Sequence, residues 1–268
     1  MVNLGTAWSK LRWSLAQRGV AGTMRIALQR QRRGDPVAHG KPLRHPFDER
    51  YGVDTSGLIV GGELRSGHKN DVFNTAYYGI APSRFRGVIE EWIADNTHAG
   101  ADSYSFIDVG CGKGRAVMMA SEYPFRQAIG VELHASLAQV AKANLAIWRS
   151  TGRPVCPMRI VCQDATEFPF PPGPCLLYLF NPFAAPVMQQ LIASIEAAFN
   201  HQPGMLDLIY FNPEKEALLQ AHRGFKRLWS GTAPISEEDA AVDLVASKED
   251  SCSIYRWVGI APGTPPAA

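Results

Sequence analysis

The ten residues Phe106-Ile107-Asp108-Val109-Gly110-Cys111-Gly112-Lys113-Gly114-Arg115 constrain the fold more than any other stretch of this chain. An apolar run carries an acid near its end, glycine then takes every second position, and a helix-forming stretch follows. Glycine lets the backbone turn where a Cβ forbids it and lets a ligand approach the main chain closely. The free amides at the start of the following helix face the same crevice. The alternation continues downstream, with short apolar runs at 105–109, 127–131, 158–162, 175–180, 206–211 and 253–258 reading as strands. Helix-like stretches at 115–122, 135–149 and 184–199 fall between the first five. Strands alternating with helices predict an α/β fold, a parallel sheet covered on both faces. Upstream, Pro82 opens a further helix with Phe85, Val88, Ile89, Trp92 and Ile93 at three-to-four spacing.

Four zones are expected: a basic N-terminal extension over 1–47, a lead-in segment and helix over 48–98, the α/β core over 99–260, and a disordered Pro/Gly/Ala-rich tail over 261–268. The extension holds nine Lys/Arg against one acid, Asp35, whereas the remaining residues hold 18 against 24. It is expected to be helical in part, with Trp8, Leu11, Trp13 and Leu15, and Ile26 and Leu28 further on, forming an apolar stripe between arginines. Such an arm suits phosphates, an anionic membrane surface or its own acidic body, and the sign pattern leaves all three open. Apolar residues make up 46% of the 268 residues and charged residues 19%, which is enough to bury a core and too apolar for a disordered chain. No run approaches the roughly 20 apolar residues of a spanning helix. Arg12, Arg18 and Arg25 interrupt any secretory-type apolar core, so a cytoplasmic location is expected. Five cysteines with no CxxC pair argue against a disulfide scaffold and structural zinc, and no metal site is expected.

Two ligand classes use a glycine turn of this kind in other settings. A dinucleotide fingerprint needs GxGxxG, but the position of its third glycine is Arg115 here. A Walker A loop is absent because no GKS or GKT follows. The DxGxGxG form resembles motif I of the class I (seven-β-strand) S-adenosylmethionine-dependent methyltransferases. The likeness continues in order through Ile129-Gly130-Val131-Glu132-Leu133, Cys162-Gln163-Asp164-Ala165 and Leu177-Tyr178-Leu179-Phe180-Asn181-Pro182-Phe183, and it spans roughly residues 75–258. The resemblance implies a Rossmann-like sheet and S-adenosylmethionine (SAM) as cofactor. It implies that Asp108, Gly110, Gly112 and Gly114 hold the methionine and ribose portion, and that Glu132, followed by Leu133, holds the ribose hydroxyls. Asp164, followed by Ala165, then meets the adenine.

The acceptor side is less constrained. Asn181-Pro182-Phe183 resembles the NPPY/DPPY loop of amino-methyltransferases without its second proline, so Asn181 and Phe183 are candidates for the acceptor side, Asn181 also touching the cofactor. A second Asn-Pro, Asn212-Pro213, is expected to shape the same sheet edge. The layout is similar to the seven-strand protein-lysine methyltransferases that lack a SET domain. That likeness implies an upstream Tyr-containing loop, either 51–57 or the one bearing Tyr78, closing over the methionine part. Arg84 and Arg86 are expected either on an exposed helix face or near the cofactor carboxylate. The expectation leans to N-methylation of a protein side chain or amine. Open beside it are a small-metabolite O- or N-acceptor and a nucleic-acid-associated enzyme that uses the basic arm.

Overall fold

The computed structural model describes residues 44–96, 99–242 and 250–260. The expected 1–43 part of the basic extension and the tail lie outside the described residues. In chain order the elements begin with α1 (Pro46–Tyr51), β1 (Leu58–Ile59), β2 (Tyr77–Tyr78) and α2 (Pro82–Asp95). Next come β3 (Ser105–Val109), α3 (Arg115–Ala120), β4 (Gln127–Glu132), α4 (Ala135–Ser150) and β5 (Met158–Cys162). Then follow β6 (Cys175–Phe180), α5 (Ala185–Phe199), β7 (Leu206–Phe211) and α6 (Glu216–Ala221). The series closes with β8 (Phe225–Thr232), α7 (Glu237–Val242) and β9 (Ser251–Trp257).

Seven strands form one sheet in the order β5-β4-β3-β6-β7-β9-β8. Neighbours from β5 through β7 are parallel, as the alternation predicts. The far edge differs from the sequence expectation. β9 runs antiparallel between β7 and β8, so the sheet is mixed. β8 was not foreseen at all: Lys226, Arg227, Ser230 and Gly231 break its apolar pattern, as an edge position tolerates. β9 begins and ends earlier than the run at 253–258, and β4 extends one residue further to Glu132.

The strands β3, β6 and β7 read as near-continuous apolar runs, interrupted only by Ser105, Asp108 and Asp207, because they are buried on both faces. Alternate residues point to opposite sides of a strand. Phe106, Leu176, Tyr178 and Ile209 therefore pack under α2, α3 and α4, whereas Ile107, Leu177, Leu179 and Leu208 pack under α5. The buried face of α2 is the predicted one, Phe85, Val88, Ile89 and Trp92. At about 1.5–3 kcal/mol for each large apolar side chain, that face alone fixes the helix on the sheet. Trp92 also donates through Nε1 to Asp207 at 2.9 Å, a fully buried carboxylate clamped by Arg256 at 2.7 and 2.8 Å.

The lead-in segment is tied to the core by a second buried acid. Asp48 accepts hydrogen bonds from the amides of Thr55 and Ser56 at 2.7 Å and from both hydroxyls. Phe47 stacks on Trp148 of α4, and the Arg115 guanidinium lies over the Phe47 ring. The boundary expected after residue 47 falls inside α1. The five cysteines are free. Among the described residues, no helix is long and apolar enough to cross a membrane.

Candidate active site

In an open parallel sheet, ligands sit beyond the carboxyl ends of the strands. Here those ends, the glycine turn and the loop before α2 enclose a cavity of about 920 Å³, its open mouth included. The turn is built as its residues require. Gly110, Gly112 and Gly114 all take left-handed backbone angles, with φ of +73°, +54° and +85°. The Gly110 and Cys111 amides donate to the Val131 carbonyl, which bolts the turn to the end of β4. A Cβ on Gly110 would press on Pro182, and one on Gly112 would overlap the Tyr77 ring.

Three carboxylates line the cavity from adjacent strands or the residues just after them. Glu132 accepts from the Gly112 amide at 2.8 Å through Oε2, and through Oε1 from the His134 amide at 2.9 Å and its Nδ1 at 3.0 Å. Asp164 caps the short helical turn Ala165–Glu167 by accepting from the Thr166 amide and hydroxyl at 2.8 Å. Its other oxygen accepts from Asn70 Nδ2 at 2.7 Å. Asp108 is different. It is buried, and its carboxylate has no hydrogen bond or ion pair among the described residues. Burial, and then the charge of Glu132, push the Asp108 carboxyl well above the usual carboxylate range. His134 is also perturbed: burial pulls its imidazole down, but Glu132 and Asp71 outweigh it and raise the pKa.

Of the residues expected from the sequence, Asp108, Gly110, Gly112, Glu132, Leu133, Asp164, Ala165, Tyr78 and Phe183 line this one cavity. Gly114 and Asn181 do not. Gly114 caps the start of α3 and lies against Ala141 and Leu145 of α4, so its missing side chain serves helix packing. Asn181 adopts φ +43°, and its amide oxygen accepts from the Tyr210 hydroxyl at 3.3 Å. Its carbonyl accepts from Thr75 Oγ1 at 2.6 Å. The loop at 51–57 does not line the cavity but packs on the outside of the glycine turn, where Lys113 Nζ donates to Asp54 and to the Ser56 carbonyl at 2.8 Å, while Tyr51 packs edge-on against Phe47 and Trp148. Tyr77 covers Gly112 instead, its hydroxyl donating to the Thr55 carbonyl at 2.7 Å. Arg84 pairs with Asp250 and Arg86 with Glu122, and neither lines the cavity. Asn212 shapes the sheet edge, with φ +49° and its amide on the Ser251 carbonyl.

Several lining residues carry no role assigned from the sequence. Arg115, His134 and Tyr178 lie within or just after the motifs, whereas Asn70 and Asn74 reach the cavity only through tertiary placement. The segment carrying Asn70 and Asn74 folds across the mouth. Asn74 bridges to Phe183, lies 3.3 Å from His134 Nε2, and is followed by Thr75, whose amide donates to the Pro182 carbonyl. Arg115 donates to Thr55 Oγ1 at 2.6 Å and to the Gly79 and Ile80 carbonyls, pinning the same lead-in loop from behind.

Residues 107–179 match the family model described as a methyltransferase domain. Among solved structures, a putative methylase from Haemophilus influenzae is 16% identical at a TM-score of 0.45, covering 66% of this chain and 98% of that one. Magnesium protoporphyrin IX methyltransferase from Synechocystis, solved with bound SAM, is 12% identical at a TM-score of 0.47, covering 66% and 79%. A variant of MtNAS is 12% identical at a TM-score of 0.43, covers 66% of this chain, and is itself spanned over only 61% of its length. No curated protein matches the chain in sequence.

Proposed function

We propose that this chain, residues 107–179 of which match a methyltransferase-domain model, is a class I SAM-dependent methyltransferase that transfers the methyl group to an amine, of a protein side chain or a smaller molecule. The observation that carries the cofactor side is the row of Asp164, Glu132 and Asp108 around one cavity. They lie on or just after β5, β4 and β3, which are neighbours in the sheet. In this reading Asp164 holds the adenine amino group in exchange for Asn70, and Glu132 holds the ribose hydroxyls. Leu133 and Ala165 flank the nucleoside. Asp108 and the main chain at Gly110 and Gly112 take the methionine arm, and Gly114 contributes by fixing the helix behind the turn. The site fits such a group because Asp108 is buried with no cation paired to it among the described residues, and because the main chain at Gly110 and Gly112 lines the cavity beside it.

SAM supplies a methyl carbon on a sulfonium, already activated for in-line displacement. The protein then contributes proximity, alignment and a nucleophile without its proton. A lysine amine, with a pKa of about 10.4 in water, must lose its proton before attack. Tyr78, Phe180 and Phe183 give the mouth an aromatic lining that disfavours the ammonium form by desolvation. Tyr78 and Phe180 meet edge to face at 6.5 Å. Asn181 acts at one remove: its left-handed turn, held by Tyr210 and Thr75, presents Pro182 and Phe183 to the cavity. The test is transfer of labelled methyl from SAM to lysine peptides, small amines, RNA and hydroxylated metabolites in parallel. Label on peptide or amine nitrogen supports the reading; label confined to RNA or to oxygen refutes the amine acceptor.

A further inference from the structure

A second polar group in the cavity has no partner. Tyr178 is 1% exposed, lines the cavity, and its hydroxyl makes no hydrogen bond among the described residues. A buried hydroxyl left without a partner costs roughly 1–3 kcal/mol, so its retention calls for a ligand that satisfies it. The ring is not free to turn away. It packs edge-on against Phe85 at 5.4 Å and tilted against Phe106 at 6.0 Å. Tyr178 on β6 is also the register partner of Asp108 on β3. Paired residues on neighbouring strands share a face, with their strands about 4.8 Å apart. Two unpartnered polar groups, a carboxylate and a phenol, therefore stand side by side on the floor of one cavity.

We infer that the Tyr178 hydroxyl is the second acceptor, beside Asp108, for the ammonium of the cofactor's methionine arm. This rests on the SAM reading above and deepens it. The sheet order orients the ligand: Asp164, Glu132, Asp108 and Tyr178 follow one another on or just after β5, β4, β3 and β6. With adenine at the first and ribose at the second, the amino-acid arm falls at the third and fourth. Of the arm's two charges, only the ammonium suits this end. Asp108 repels a carboxylate, and Arg115 is already engaged by Thr55, Gly79 and Ile80, with Asp48 at 3.7 Å. An ammonium has three donors and no acceptor, so the carboxylate and the phenol oxygen both receive from it.

The test is Tyr178→Phe, which removes one oxygen and leaves the ring packing intact. Wild type and variant are titrated with S-adenosylhomocysteine (SAH), with its decarboxylated form, which keeps the ammonium, and with methylthioadenosine, which lacks the whole arm. The variant should bind the first two about tenfold more weakly, the loss expected for one hydrogen bond to a charged group. Methylthioadenosine affinity should stay within about twofold. The unliganded variant should melt no lower than wild type, since the hydroxyl it loses was unsatisfied. A variant that melts lower and binds all three ligands equally weakly would assign Tyr178 a structural role and overturn the inference. Normal binding of decarboxylated SAH would overturn the ammonium assignment. If folded wild type bound none of the three, the cofactor reading itself would fall, a result that Tyr178→Phe cannot mimic.

Discussion

Gly112→Ala probes the glycine turn where two independent costs meet. The residue sits at φ +54°, a conformation that costs an L-residue other than glycine about 1–2 kcal/mol. Its new methyl would also overlap the Tyr77 ring, which cannot swing out freely because its hydroxyl is bonded to the Thr55 carbonyl. Displacing that ring adds a cost of the same order, about 1–2 kcal/mol, in line with overpacking elsewhere. The sum is about 2–4 kcal/mol, and at about 2–4 °C per kcal/mol for a chain of this size Tm should fall by about 5–15 °C. A double-mutant cycle with Tyr77→Ala separates the two contributions. Without the ring the overlap disappears and only the backbone cost remains, so the pair should be less destabilised than the sum of the singles by about 1–2 kcal/mol. Thermal melts and denaturant titrations of the four proteins measure this directly. Additivity within error would show that Tyr77 does not press on the turn and would refute the packing described here.

Three further perturbations have defined outcomes. Arg256→Met strands the buried Asp207 carboxylate without its cation and should destabilise by about 3–5 kcal/mol in equilibrium denaturation; a loss below about 1 kcal/mol would mean that water reaches that acid. Burial pushes Asp239 up, but the His45 imidazole and the Ser83 amide and hydroxyl outweigh it and hold the carboxyl at about 2. Because this folded value lies below the unfolded one, the stabilisation is present above about pH 4 and fades as pH falls towards 2, so Asp239→Asn should cost about 2 kcal/mol at pH 6 and almost nothing near pH 2; a gap that stayed constant with pH would contradict the assignment. Asn181→Ala should leave SAH affinity within about twofold and cut turnover in the methyl-transfer assay, since Asn181 shapes the loop from outside the cavity. Loss of SAH binding as severe as in Asp108→Ala would give Asn181 a direct cofactor contact.

The parts of this protein legible in its sequence are those set by local pattern. The strands β3, β6 and β7 are buried on both faces and so appear as largely apolar runs, broken only by Ser105, Asp108 and Asp207, and Asp108 and Glu132 fall where β3 and β4 meet their turns. β8 was illegible because an edge strand buries little, and Lys226, Arg227 and Gly231 carry no period-two signal. The site divides along the same line. The glycines and three acids belong to motifs, whereas Asn70 reaches Asp164 across 94 positions of sequence and Asn74 reaches His134 across 60. No short window contains such a contact. Tyr178 is the sharpest case. In the run Leu176-Leu177-Tyr178-Leu179-Phe180 it looks like one more core aromatic, and only the register with Asp108 and the unpartnered hydroxyl set it apart.

The central claim is that the cavity over the glycine turn binds the methionine arm and nucleoside of SAM, with Asp108 at the arm. Calorimetric titration of the purified protein with SAH, with NADH as the control and Asp108→Ala beside wild type, tests it most directly. The account predicts saturable SAH binding by wild type, none to NADH, and an Asp108→Ala variant that stays folded but binds SAH at least tenfold more weakly, the loss of about one charged hydrogen bond. Tight SAH binding that survives Asp108→Ala unchanged, or a folded wild type that binds NADH in preference, would contradict it.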